Sequence, residues 1–348
     1  MYSRLVLCIC LFWIGCKQQE NPKWIAINPT PVSVENVQTI AFGSCNNQNS
    51  DQEMWKEIQA DEPDLWIWLG DNIYADTEDM DEMREMYIQQ KAHPEYKAFI
   101  YHTAYIGTWD DHDFGANDAG AEYPKKAESQ QLFLDFMDVP KDDPRRTREG
   151  IYVAHTYGTD STNSLKIIML DGRYFRDAFV NSKETGKRYE PTAKGTFLGE
   201  AQWTWLEEKL STNPTRLTII GFGIQIIPTE QGFEKMYNFP AERERLLDLI
   251  ASSGNEHVIL LTGDRHIGEI SQFQHPDMKH PITEVTASGL THSYESVGDE
   301  PNSFRKGIIV SQRNYGLMEI DWGDTLSIDV SHKGLNDAIW QRTTLSFK

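Results

Sequence analysis

Five short stretches of this 348-residue chain place metal-ligating, acid–base or phosphate-binding side chains directly after an apolar run. Gly43-Ser44-Cys45 follows Thr39–Phe42, and Gly70-Asp71-Asn72-Ile73-Tyr74 follows Leu65–Leu69. Thr108-Trp109-Asp110-Asp111-His112-Asp113 packs three carboxylates around one imidazole. Asp171-Gly172-Arg173 follows Leu165–Leu170, and Gly263-Asp264-Arg265-His266 follows Val258–Thr262. Gln225, after Leu217–Phe222, is a sixth and weaker candidate that offers a neutral oxygen.

Taken singly, each stretch has an ordinary structural explanation. A lone cysteine is often just a small buried apolar residue, a Gly-Asp pair can be a turn with a helix cap, and Arg173 can sit in a structural salt bridge. Together they point elsewhere. Tyr74 lies three residues beyond Asp71, near enough for both to reach one ion. Asp264 and His266, two apart on an extended segment, point the same way. Like charges crowded around His112 need cations if they are partly buried. A neighbouring carboxylate can fix the tautomer of His112 and raise its pKa, which suits it to protonate a leaving group. The planar fork of Arg173 matches two phosphate oxygens.

The elements that must position these residues are legible as alternating apolar runs and helical stripes. Gln38–Phe42, Leu65–Leu69, Leu165–Leu170, Leu217–Phe222 and Val258–Leu261 are short, nearly all apolar, and stop at Gly or Asp, as strands buried on both faces do. Asp51–Ala60, Met80–Gln90, Ala127–Met137, Glu200–Leu210 and Ala241–Ala251 have helical spacing. Glu269–Gln274, Ile282–Ala287, Leu317–Asp321 and Leu326–Val330 alternate more and read as antiparallel strands. The pattern predicts one α/β domain with a mixed sheet system, whose strand ends are where ligands collect.

Composition narrows the function. With 39% hydrophobic and 25% charged residues the chain reads as a soluble globular protein. A net charge of −20 argues against a nucleic-acid surface or an anionic lipid surface as the main partner. It does not argue against a small phosphorylated substrate, because bound cations can dominate the field inside a site. Residues 1–16 read as a signal segment: Arg4, an apolar run Leu5–Ile14, then Trp13-Ile14-Gly15-Cys16, which looks like a bacterial lipoprotein box. The expectation is an exported chain, lipid-anchored in the cell envelope through Cys16 or else simply secreted. Cys8 and Cys10 leave with the signal, so Cys45 is the one thiol of the mature body and has no disulfide partner. Residues 17–37 read as a polar tether, 38–335 as the catalytic domain and 336–348 as a C-terminal tail.

The order of the five motifs resembles the alkaline phosphatase D (PhoD-like) family of calcineurin-like metallophosphoesterases, over about Thr39 to His266 and on through Asn314-Tyr315-Gly316. The resemblance implies a four-layer αββα sandwich with metals at its rim. It implies Cys45, Asp71, Tyr74 and His266 as ligands of a ferric ion, with Asp71 bridging. Asp111 and Asp264, helped by Gln225, would hold calcium-type ions, or another divalent metal such as manganese. His112 matches the catalytic histidine and Arg173 a substrate-binding position; Asp113, the carboxylate next to His112, is taken as a further catalytic candidate. The donor types agree, since phenolate and thiolate suit trivalent iron while carboxylates suit calcium or manganese. The expected reaction is hydrolysis of a phosphate ester by a hydroxide held at a multinuclear centre. Phosphodiesterase or phospholipase action on the same centre is the nearest alternative. A surface lipoprotein that binds without catalysis is a more distant one, for which the ten tryptophans and the acidity also fit.

Overall fold

The computed structural model of the chain describes residues 36–158 and 162–347. The expected signal segment, and all of the tether but its last two residues, lie outside them. In chain order the elements begin β1 (Thr39–Gly43), α1 (Met54–Ala60), β2 (Leu65–Leu69), α2 (Met80–Ala92), α3 (Pro94–His102), β3 (Ala104–Thr108), α4 (Asp111–Phe114) and α5 (Lys126–Phe136). They continue with β4 (Val153–Tyr157), β5 (Leu165–Met169), β6 (Val180–Asn181), β7 (Tyr189–Glu190), α6 (Gly199–Ser211), β8 (Leu217–Phe222), α7 (Pro240–Ser252) and β9 (Val258–Thr262). The last five are β10 (Gly268–Phe273), β11 (Ile282–Ala287), β12 (Tyr315–Asp321), β13 (Leu326–Lys333) and β14 (Ile339–Phe347).

Two six-stranded mixed sheets result, ordered β14-β13-β12-β1-β2-β3 and β10-β11-β9-β8-β5-β4. Strand alternation sorts each apolar run into two layers. On β2, Leu65, Ile67 and Leu69 point between the sheets, where they meet Ile167 and Met169 of β5 and Ile219 of β8. Trp66 and Trp68 point the other way, onto Trp55, Tyr96, Phe99 and Phe136 of α1, α3 and α5. The indole N–H of Trp68 reaches the Tyr96 hydroxyl at 3.1 Å, so its burial leaves no donor unsatisfied. On the far sheet Ile168, Ile220 and Leu260 carry α6 and α7 through Trp203, Leu206, Leu246 and Ile250. The layers are therefore αββα, as expected.

Two expectations are corrected. The described part of residues 336–348 is not a tail: β14 pairs along β13 from Leu326↔Phe347 to Lys333↔Ile339 and forms the edge of the first sheet. Its alternation of exposed and half-buried positions is too polar to read as a strand without the neighbour that holds it. Ile282–Ala287 pairs antiparallel with β10, but its other edge runs parallel to β9. Local alternation carries no information on partner direction.

The parallel strands of both sheets end at one rim, and close approach there depends on glycine. A Cβ on Gly263 would lie 2.4 Å from the Leu69 carbonyl oxygen, 2.6 Å from Ser44 Oγ and 2.9 Å from the Gly223 oxygen. Gly263 is where the ends of four strands converge. Gly263→Ala is expected to destabilise the fold by about 1–3 kcal/mol, the usual overpacking range, read as a lower urea midpoint at unchanged m-value.

Candidate metal centre

Three of the site's residues occupy the same place relative to their strands. Cys45, Asp71 and Asp264 each lie two residues beyond the end of β1, β2 and β9, with φ of 60°, 49° and 68°. His266 follows with φ of 56°. Non-glycine residues in this left-handed region cost roughly 1–3 kcal/mol each and persist where surrounding contacts over-determine them. Here the contacts are visible. The Asp71 N–H donates to Asp113 Oδ1 at 3.1 Å, and the Asp71 carbonyl accepts from the Asn46 N–H at 2.9 Å. Each left-handed turn swings its side chain from the strand line into the rim.

The side chains converge on Asp71. Its Oδ2 lies 3.5 Å from Cys45 Sγ and 3.3 Å from the Tyr74 hydroxyl, which is itself 3.4 Å from His266 Nε2. Cys45, Asp71 and His266 offer ligand atoms all within 4.8 Å of one another, and so do Asp71, Asp111 and His112. Asp71 is common to both groups. A third such group, Asp110, Asp111 and Glu234, surrounds Arg173.

The electrostatics are those of a site built for cations. Burial first, and neighbouring carboxylates after it, push Asp71 and Asp264 well above the usual carboxylate range. The Cys45 thiol and Tyr74 phenol are raised by burial and by Asp71 as well. His266 is lowered to about 3 by burial and by His292 and His112, so it stands neutral with a lone pair to give. Asp71 Oδ1 and His266 Nδ1 are buried without hydrogen-bond partners. Unpaired buried polar groups of this kind are costly, and a bound cation would satisfy the anionic ones.

The profile of the PhoD-like phosphatase family matches residues 40–338. The chain belongs to this family. Alkaline phosphatase D of Bacillus subtilis (strain 168) is 23% identical over 300 residues, covering 74% of this chain and 50% of its own length. The chain therefore spans about half the length of that curated relative. A solved structure of PhoD superposes with a TM-score of 0.73 at 20% identity, covering 92% of this chain and 71% of its own. A dimetal phosphatase from Danio rerio superposes at 0.53 with 12% identity, over 90% of this chain and all of its own. Both share the fold.

Within this PhoD-like chain the rim gathers Cys45, Asp71, Tyr74, Asp111, His112, Asp264 and His266, all anticipated from the sequence. The last four of these, from Asp111 onward, line a cavity of about 140 Å3 together with Asp118, Arg188, Phe233, Glu234 and Tyr294. Gln225 is buried and is not among the residues that line this cavity. Its Nε2 donates to Glu269 and Thr286, and its Oε1 is left without a hydrogen-bond partner.

Two catalytic expectations are corrected. Arg173 is 1% exposed and lies outside the cavity lining. It donates to Asp110 Oδ1 at 2.7 Å and with two nitrogens to Glu234, at 3.0 and 2.5 Å. Its fork is filled by protein carboxylates, so it positions Asp110 and Glu234 rather than a phosphate. Asp113, fully buried, accepts from the backbone N–H groups of Asp71, Asn72 and Asp110 and from the Asn72 amide. That geometry pins the turns carrying Asp71 and Asp111 and leaves Asp113 no path to a substrate.

The carboxylate that does serve His112 is Asp76, whose Oδ2 is 2.7 Å from Nδ1. Burial alone would lower His112, but Asp71, the bond to Asp76 and Asp111 outweigh it and lift the imidazole to about 10. Asp76 was missed although it stands two residues after Tyr74. His292 was missed too, with Nε2 3.1 Å from the Tyr74 hydroxyl. It lies in a loop with no strand-end signature, and Glu234 likewise. Only the folding of distant loops onto the rim reveals these two.

Proposed function

We propose that the chain is a metal-dependent phosphoric ester hydrolase whose reaction takes place at this rim. The observation that carries the reading is the place of Asp71, whose carboxylate lies within 4.8 Å of the Cys45 and His266 ligand atoms in one group and of the Asp111 carboxylate in another. A bridging carboxylate between two sets of donors is what a pair of adjacent cations needs. Family membership and the resemblance to a dimetal phosphatase fold support it.

The donor chemistry divides the site. Cys45, Tyr74 and His266 with Asp71 combine a thiol, a phenol and a neutral imidazole, a set that fits ferric iron. Asp111 and Asp264 with Asp71 offer only oxygens, which fits calcium or manganese. Cations held there supply Lewis-acid activation of a phosphoryl group and of water. The protein's own part is proton delivery and orientation. Asp76 engages His112 Nδ1, which leaves Nε2 as the atom that hands a proton to the departing alkoxide. The Tyr74 ring packs on the His112 ring at a centroid distance of 4.2 Å and limits its rotation. Arg173 holds Asp110 and Glu234 in place behind Asp111.

The test is metal analysis with a visible spectrum on protein purified without chelator. Tightly bound iron with a broad visible absorption that disappears in Tyr74→Phe is the expected result. Folded, colourless, iron-free protein that still hydrolyses phosphate esters would exclude the ferric phenolate and leave a centre of divalent ions alone.

A further inference from the structure

The cavity above the centre is rimmed by two aromatic rings that the proposed chemistry does not use. Phe233 is 38% and Tyr294 46% exposed, and both line the cavity. Each has a contact that holds it. The Arg265 guanidinium sits 4.5 Å from the Phe233 ring centroid, and Arg265 is itself fixed by Glu300 at 2.6 Å. The Tyr294 ring stacks on the His266 ring at 4.9 Å and 14°, and its N–H donates to the His266 carbonyl at 2.9 Å. The loop carrying Phe233 is anchored in turn, since the Arg188 N–H donates to the Gly232 oxygen at 2.7 Å. Rings held in this way lose little freedom when a ligand covers them, so contact with a planar group is favoured with a small entropic cost.

We infer that Phe233 and Tyr294 form a subsite for a planar aromatic group on the alcohol side of the ester, so that preferred substrates carry a ring near the phosphoryl group. The inference rests on the phosphoesterase reading. Phe233 stands on the loop after β8 and Tyr294 on the loop after β11. Both rings line the same cavity as His112, so a group leaving past His112 would lie beside them.

The experiment measures binding of three phosphonates by calorimetry to protein as purified: methylphosphonate, benzylphosphonate and the size-matched but non-planar cyclohexylmethylphosphonate. Benzylphosphonate is expected to bind about tenfold tighter than the cyclohexyl compound, the size of one good aromatic contact. The preference should vanish in Phe233→Leu/Tyr294→Leu, while methylphosphonate binds both proteins equally and so reports that the centre is intact. Equal affinity for the benzyl and cyclohexyl compounds, or a preference that survives the double substitution, overturns the subsite and leaves the phosphoesterase reading standing. Failure of all three phosphonates to bind overturns both.

Discussion

Asp71→Asn is expected to empty both cation groups at once. The carboxylate is the one donor common to them, its Oδ2 faces Cys45 and Tyr74, and its Oδ1 has no protein partner. An amide keeps the shape but loses the charge and half of the acceptor capacity. Activity should fall by at least about 10³, since the loss exceeds that of a single preorganised electrostatic contact at about 10²–10³. Metal content, measured on the purified variant, should fall for both types of ion together. Stability supplies an independent sign. Cations bound only to the folded state stabilise by RT ln(1 + [L]/Kd), about 4 kcal/mol at a thousandfold excess over Kd. Chelator should therefore lower the melting temperature of the wild type and leave that of Asp71→Asn unchanged. The variant should also melt at or above the chelated wild type, because burial and the nearby acids disfavour the Asp71 carboxylate when no cation is present. An Asp71→Asn protein with its full complement of metal would refute the bridging role.

His112→Ala is expected to separate chemistry from metal binding. Loss of a positioned general acid typically costs about 10²–10⁴ in rate. The cost should depend on the leaving group: large for esters of alkyl alcohols, whose alkoxides need the proton, and small for p-nitrophenyl phosphate, whose phenolate leaves unaided. Metal content and unfolding midpoint should stay near wild type, because His112 stands at the cavity edge with 18% of its side chain exposed and bonds to Asp76. Asp76→Asn should show the same leaving-group pattern at smaller amplitude, since it orients the imidazole without supplying the proton. Equal losses for alkyl and p-nitrophenyl esters in His112→Ala would show that the residue stabilises charge or binds metal instead.

Much of the rim was readable in the chain because its turns follow directly from local rules. A buried apolar run cannot continue through Gly70-Asp71 or Gly263-Asp264, so the strand stops and the next polar side chain faces the rim. Asp71, Asp264 and His266 were singled out on that basis and the fold brings them to one rim, while Asp111 and Cys45 gained a ligand role only through the family resemblance. Arg173 shows where the argument fails. An arginine at a strand end looks like a phosphate ligand until Glu234, sixty-one residues further along, arrives to fill its fork. Sequence distance of that size carries no signal in a single chain. Asp113 failed for the opposite reason. It is so close to His112 in sequence that it seemed a natural partner, yet the turn of α4 points it inward at the Asp71 and Asp110 amides. The C-terminal strand β14 was invisible because five of its nine residues are exposed, and only hydrogen bonds to β13 make it a strand.

The amino-acid sequence by itself determined the kinds of donor present, the strand ends that carry them and an α/β domain with a mixed sheet system, since these depend on residue type and on periodicities of a few positions; the αββα layering came from the family resemblance. The tertiary structure alone decided which carboxylate serves His112, that Arg173 is spent on Asp110 and Glu234, and that His292, Phe233 and Tyr294 complete the rim. Those outcomes depend on loops brought together from β2, β8 and β11. Their meeting is set by how two sheets pack through Ile67, Leu69, Met169 and Ile219, and no local pattern records that packing.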